Sequence, residues 1–211
     1  MDKSIVKTKS LEYTKKLVLI GMFAATIIGG KFALMALPNI EVVTLFIILF
    51  TYVFGLGIGL SATLIFCVVE MFIFPMGSWV ISYFIHWPLV SIMAFLFSKI
   101  ISKNRAIFPA IFAFVITLLF GVLTSFVDTL VYTTPDLYLK MFGAMYVKGI
   151  PFFLTHIVSN TLVVGFAFLP LSKMLEKLKE HFLPQKNDTE TKIDNLKTDA
   201  ETKINNKKTA E

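Results

Sequence analysis

A single cysteine, Cys67, stands in the whole 211-residue chain, beside only two tryptophans and three histidines. One thiol inside an apolar run excludes an internal disulfide framework. Charge is equally sparse where it matters: of 20 Lys and Arg and 14 Asp and Glu, only about ten fall between residues 17 and 171, and the rest crowd the two ends. No basic stripe interleaved with aromatic residues occurs, so the formal charge of +6 does not point to nucleic acid. A glycine-rich loop ending in Lys-Ser/Thr is absent, so the chain hydrolyses no ATP itself. Metal chemistry lacks its usual H-E-x-x-H or clustered ligands: His86 and His156 fall in separate apolar runs and His181 beyond them. Aspartate-rich pairs and a G-x-S-x-G elbow are missing too, so no catalytic residue is assigned.

What is abundant is apolar. Hydrophobic residues make up 56% of the chain, Phe alone 22 positions, and the mean hydropathy is +0.76. This excludes a disordered protein and a coiled coil and predicts an all-α integral membrane protein. Runs broken by Pro, Gly and charge place helices at 17–37, 42–54, 57–74, 79–100, 106–132 and 150–171, six spans at roughly 20 residues per crossing. The second is short for a full crossing, and the glycines of FGLGIGLSAT predict a tight turn after it. The first is too long for a removable signal peptide and has no small-residue cleavage site. Four segments result: a basic N-terminus (1–16), a membrane domain (17–171), an amphipathic extension at the membrane surface (172–183) and a polar tail (184–211). In that tail ETKIDNLKTDA is followed directly by ETKINNKKTAE, an 11-residue repeat too polar to bury a core.

Basic residues cluster before the first helix, between the fourth and fifth (Lys99, Lys103, Arg105) and after the sixth (Lys173, Lys177, Lys179). The positive-inside rule puts all three clusters, and so both termini, in the cytoplasm of a cell reading as bacterial, with the chain multi-pass in its plasma membrane. With that orientation Lys31, Glu70, Asp128, His86 and His156 share one layer roughly 8–12 Å below the outer surface. An ionisable group in hydrocarbon costs a few kcal/mol, so five at one depth are expected to face one another or a wet cavity. Two readings compete: a ligand-free network such as Lys31 paired with Glu70, and an outward-facing ligand pocket, which is favoured. Trp79, Tyr83, Trp87, Tyr132 and Asn160 lie at similar depth. Two connections would cover the pocket: the PNIE segment, with Asn39 and Glu41, and the long loop 134–149, with Tyr138, Lys140, Tyr146 and Lys148 as a gate.

On the first helix Gly21, Ala25, Gly29 and Ala33 recur every fourth residue. Such a small-residue stripe admits another helix closely, with internal packing the default and another subunit the alternative.

Taken together, these residues resemble the substrate-binding S component of an energy-coupling factor (ECF) vitamin transporter over roughly 17–175. The resemblance rests on the stripe, on ALPNIEVVTLFIILFTYVFG with its Pro-Asn-x-Glu-x-x-Thr opening of the second helix, on Pro-Met-Gly-Ser-Trp before the fourth, and on HIVSNTLVVGFAFLPL in the sixth. The second motif is the most specific; Gly21 and Ala25 stand where the family has Ala-x-x-x-Ala. The resemblance implies a non-catalytic subunit that captures a vitamin or related micronutrient outside the cell, cobalamin-like by its Pro-Asn-x-Glu variant. It further implies docking through Gly21, Ala25 and Gly29 on a membrane coupling subunit driven by two cytoplasmic ATPases, which use the ATP, and toppling in the lipid bilayer to release the substrate. No cofactor is expected in this chain. The alternatives are a six-helix membrane enzyme acting on a small or lipid-linked substrate, and a structural subunit whose polar layer fixes helix register.

Overall fold

The computed structural model describes residues 3–100 and 106–183; Lys103, Arg105 and the repeat-bearing tail lie outside the described residues. Six helices form among them, and no strand: α1 (Lys3–Leu34), α2 (Val43–Phe54), α3 (Leu56–Ile73), α4 (Ser78–Ile100), α5 (Ile107–Tyr132) and α6 (Tyr138–Phe182). All but α2 are long and apolar enough to cross a membrane, the pattern of a multi-pass membrane protein. Their outer faces are correspondingly greasy, with Phe72 and Phe166 each 80% exposed.

At about 1.5 Å per residue α2 is roughly 18 Å long, well short of a hydrocarbon core. Packing accounts for this. Ten of its twelve residues are buried, because α1, α3, α4 and α6 surround it. α2 is therefore the core of the bundle and has little lipid-facing surface. It ends at Gly55, whose φ of +89° turns the chain straight into α3, and only glycine takes that conformation without strain. The two helices then approach so closely that a Cβ on Gly59 would sit 2.6 Å from the Thr51 Cα.

Without a hydrophobic force between helices in lipid, polar contacts and close packing hold such a bundle together. Thr63 and Ser91 share a hydrogen bond of 2.9 Å between α3 and α4. The Asn160 amide donates to Thr44 Oγ1 at 3.0 Å and to Thr117 Oγ1 at 3.1 Å, tying α6 to α2 and α5. Each such bond contributes about 0.6 kcal/mol in a membrane setting.

Two sequence expectations are corrected here. First, α1 begins at Lys3 rather than near residue 17, so most of the N-terminal segment is helical. Second, the expected loop 134–149 is a single 3-10 turn (Pro135–Leu137) followed by helix: α6 runs unbroken for 45 residues, about 68 Å, with Pro151 and Pro170 inside it. The extension 172–183 continues the last helix, as its amphipathic pattern implies. There Leu175 is buried and Leu178 and Phe182 are packed on the core. The Lys179 ammonium donates to the Val53 carbonyl at 2.7 Å, supplying a partner that the last turn of α2 cannot provide for itself.

Candidate functional site

Where α1 hands over to α2, residues 35–42 form a short irregular cover, with Asn39 in the left-handed region at φ +60°. Below it lies a cavity of about 220 Å³. Lys31, Asn39, Glu41, Tyr83, Trp87 and His156 from the predicted set line it, brought together from α1, the cover, α4 and α6. Its aromatic walls add Phe66 and Phe120. A second cavity of about 310 Å³ adjoins it, sharing Lys31 and Tyr83 and lined also by Glu70, Pro75 and Trp79.

Each acidic or basic side chain that lines the site has a polar partner. Lys31 Nζ forms an ion pair with Glu70 Oε2, and it also lies 3.5 Å from the Tyr83 hydroxyl and 5.1 Å from the Tyr83 ring centroid. Glu70 is fully buried, and its other oxygen, Oε1, has no hydrogen-bond partner among the described residues. On the opposite side His156 Nε2 stands 3.3 Å from Glu41 Oε1. Glu41 is also the cap of α2: it accepts the Thr44 N–H at 3.0 Å and the Thr44 hydroxyl at 2.6 Å. Burial acts to raise the pKa of this carboxyl, which lies in the connection outside the helices. Hydrogen bonds from His156 and Thr44 and the charge of His156 outweigh burial and hold it below the ordinary value.

Aromatic rings connect the two sides. Trp79, Tyr83 and Trp87 occur at every fourth position on one face of α4 and meet edge to face at 5.1 and 5.6 Å, so the ladder passes from the second cavity into the first. Phe120 of α5 stands between the two histidines, 4.6 Å from the His86 ring and 5.6 Å from that of His156. The indole N–H of Trp87 has no partner among the described residues although the residue is only 3% exposed.

Other predicted residues lie elsewhere. His86 is buried against Phe120 behind the cavity wall. Asn160 is buried in its bridge between Thr44 and Thr117. Asp128 accepts a short hydrogen bond from Ser78 and so joins α5 to the start of α4. Tyr132 is 63% exposed. The segment 134–149 contributes no lining residue, so PNIE is the cover and the expected gate is not. Phe66 and Phe120 went unnoticed in the sequence because nothing distinguishes them from the other phenylalanines.

The stripe on α1 faces outward. Gly21, Ala25, Gly29 and Ala33 are all exposed, and a Cβ on Gly21 or Gly29 would meet nothing within 4 Å, which corrects the default of internal packing.

Comparison of the chain with protein families, curated proteins and solved structures finds no match.

Proposed function

We propose that this chain is the substrate-specific binding subunit of an ATP-driven importer of the ECF type, capturing a vitamin or related micronutrient at the outer face of a bacterial cell membrane. The observation that carries the reading is the cavity beneath residues 35–41, which gathers Lys31, Glu41, Tyr83, Trp87 and His156 from four parts of the chain into one apolar bundle. Groups so costly to place in a membrane are retained where they bind or transfer something. In this reading the chain crosses six times with both termini cytoplasmic. α2 counts as a crossing despite its length, because protein rather than lipid surrounds it. The cavity opens outward, and the exposed stripe of Gly21, Ala25 and Gly29 is the docking face for a membrane coupling subunit bearing two ATPases. Adjoining cavities of about 220 and 310 Å³ favour a compact micronutrient over a corrinoid.

The test is to purify the full chain from cells grown in rich medium and identify co-purifying small molecules by mass spectrometry. Uptake of the same compound is then measured in intact cells with and without a co-expressed coupling subunit and ATPases. Retention of one compound and uptake that requires the partners are expected. A consistently empty protein that shows no thermal shift with a vitamin panel would count against capture. Chemical conversion of the ligand by the purified chain would favour the membrane enzyme.

A further inference from the structure

Among the described residues Glu41 is the only acidic one that lines the first cavity, and it is held from behind. We infer that Asn160 is a positioning residue of this site: acting through Thr44, it fixes the carboxylate that Glu41 brings to the cavity. Its bearing on ligand capture rests on reading this cavity as the capture site.

Donor accounting gives the direction of the contact. The side-chain amide nitrogen of Asn160 can only donate, so the Thr44 hydroxyl oxygen, 3.0 Å away, accepts from it. That hydroxyl has a single proton, which goes to Glu41 Oε1 at 2.6 Å. With the amide reversed, its oxygen would draw the Thr44 proton toward itself and leave the carboxylate facing a lone pair. The relay therefore runs one way, from Asn160 through Thr44 to Glu41. The second amide proton goes to Thr117 Oγ1 at 3.1 Å, which holds the Asn160 side chain against α5. Asn160, Thr44 and Thr117 are all buried, so no water competes for these bonds.

Position along α6 supports the same role. Asn160 lies one turn beyond His156 on the same face, so α6 grips one carboxylate twice. His156 Nε2 stands 3.3 Å from Glu41 Oε1, and Asn160 reaches the same oxygen through Thr44. Between them Ser159 donates to the Asn39 carbonyl at 3.2 Å and ties the cover to the same helix. The titratable groups around Glu41 are His156 on α6, Lys31 on α1, and Tyr83 and His86 on α4; α2 and α5 bring Val43 and Phe120 to the cavity and no charge. None of these groups is removed when Asn160 is replaced, so a changed titration of Glu41 reports the relay.

The experiment follows the carboxyl stretch of protonated Glu41 by infrared difference spectroscopy on the full, ligand-free chain in lipid nanodiscs, from about pH 7 to about pH 2. Glu41→Gln removes the band and so assigns it. In wild type the midpoint is expected below 4.5. Thr44→Val takes away the hydroxyl, and Asn160→Leu leaves it free to turn to a backbone carbonyl. Each should raise the midpoint by at least about half a pH unit, whereas Thr44→Ser should restore the wild-type value. Thr117→Val removes the other bond of Asn160; it should lower the melting midpoint comparably and leave the Glu41 titration in place. That contrast separates positioning from packing. An unchanged titration in Asn160→Leu, or an equal rise in Thr117→Val, overturns the inference. Asn160→Ala covers the case in which the leucine variant does not fold; failure of both to fold would make Asn160 a residue of the bundle alone and overturn its separate role. Since the titration needs no ligand, an empty cavity would count against capture and leave the relay standing. Partner-dependent uptake with an unshifted Asn160→Leu titration would do the reverse.

Discussion

Glu41 and His156 stand 3.3 Å apart at one end of the bundle although 115 residues separate them in sequence. Their contact links the cover over the cavity to α6, while the same carboxylate caps α2 through Thr44. The folded-state pKa of Glu41 is lowered from its ordinary value of 4.5, so the stability it contributes is fully present above that value and is lost as pH falls through the lower folded value. Thermal melting of the detergent-solubilised protein should show this. Wild type is expected to hold its midpoint down to about pH 4.5 and to lose it as the pH falls further, whereas Glu41→Gln starts lower and loses less over the same interval. Parallel profiles for the two proteins would contradict the assignment.

A second prediction concerns the Lys31–Glu70 pair and is asymmetric. The Glu70 side chain is fully buried, whereas that of Lys31 is 23% exposed. Lys31→Met strands a carboxylate with no cation beside it, at a cost of about 3–5 kcal/mol. Glu70→Leu strands an ammonium that can turn toward water, and should cost less. The double variant replaces both charges by apolar groups and should recover much of the loss. A double-mutant cycle on melting midpoints measures the coupling; additive single effects would mean that the pair contributes no coupling.

The third prediction compares two glycines in the first turn of α3. A Cβ on Gly59 would press on the backbone of Thr51, which cannot give way without moving α2, so Gly59→Ala should destabilise by about 1–3 kcal/mol. Gly57 has open space around it, and Gly57→Ala should be neutral or mildly stabilising by up to about 1 kcal/mol. Equal effects would place the close α2–α3 approach in doubt.

How much of this was legible depended on what kind of signal each residue carries. The ends of α2 to α5 lie within a residue or so of where apolar runs break, because charge and proline interrupt those runs and, between α2 and α3, glycine does. Lys31 and Glu70 stood out for the same reason. α6 was misread at its start because Gly143, Gly149, Lys140 and Lys148 dilute the hydropathy and Pro151 looks like a first helical residue. What holds that segment helical is its continuity with the helix packed along α5, a tertiary effect absent from any local window. Phe66 and Phe120 illustrate another limit: a phenylalanine facing lipid, a core or a ligand is the same letter. The stripe on α1 shows a third, since four-residue spacing puts small residues on one face without saying toward what that face turns.

That face supplies the last prediction. Gly21 and Gly29 are exposed with free space above them, so a bulky side chain at either position disturbs nothing inside the chain. Gly21→Leu and Gly29→Leu should therefore melt at the wild-type temperature and retain any co-purifying ligand at the wild-type level. Close approach of a partner helix needs the backbone bare at these positions, and in a dry helix contact a leucine there holds the two axes apart. Uptake in cells that carry the coupling subunit and ATPases should accordingly fall at least about tenfold, and the chain should no longer be pulled down with the coupling subunit. Ala25→Leu, on the same stripe, should behave alike, whereas Thr26→Leu, one position round the helix and also exposed, should transport as wild type. Normal uptake in the three stripe variants would remove the stripe as a docking face. Loss of ligand together with uptake would instead mean that the stripe supports the cavity from outside.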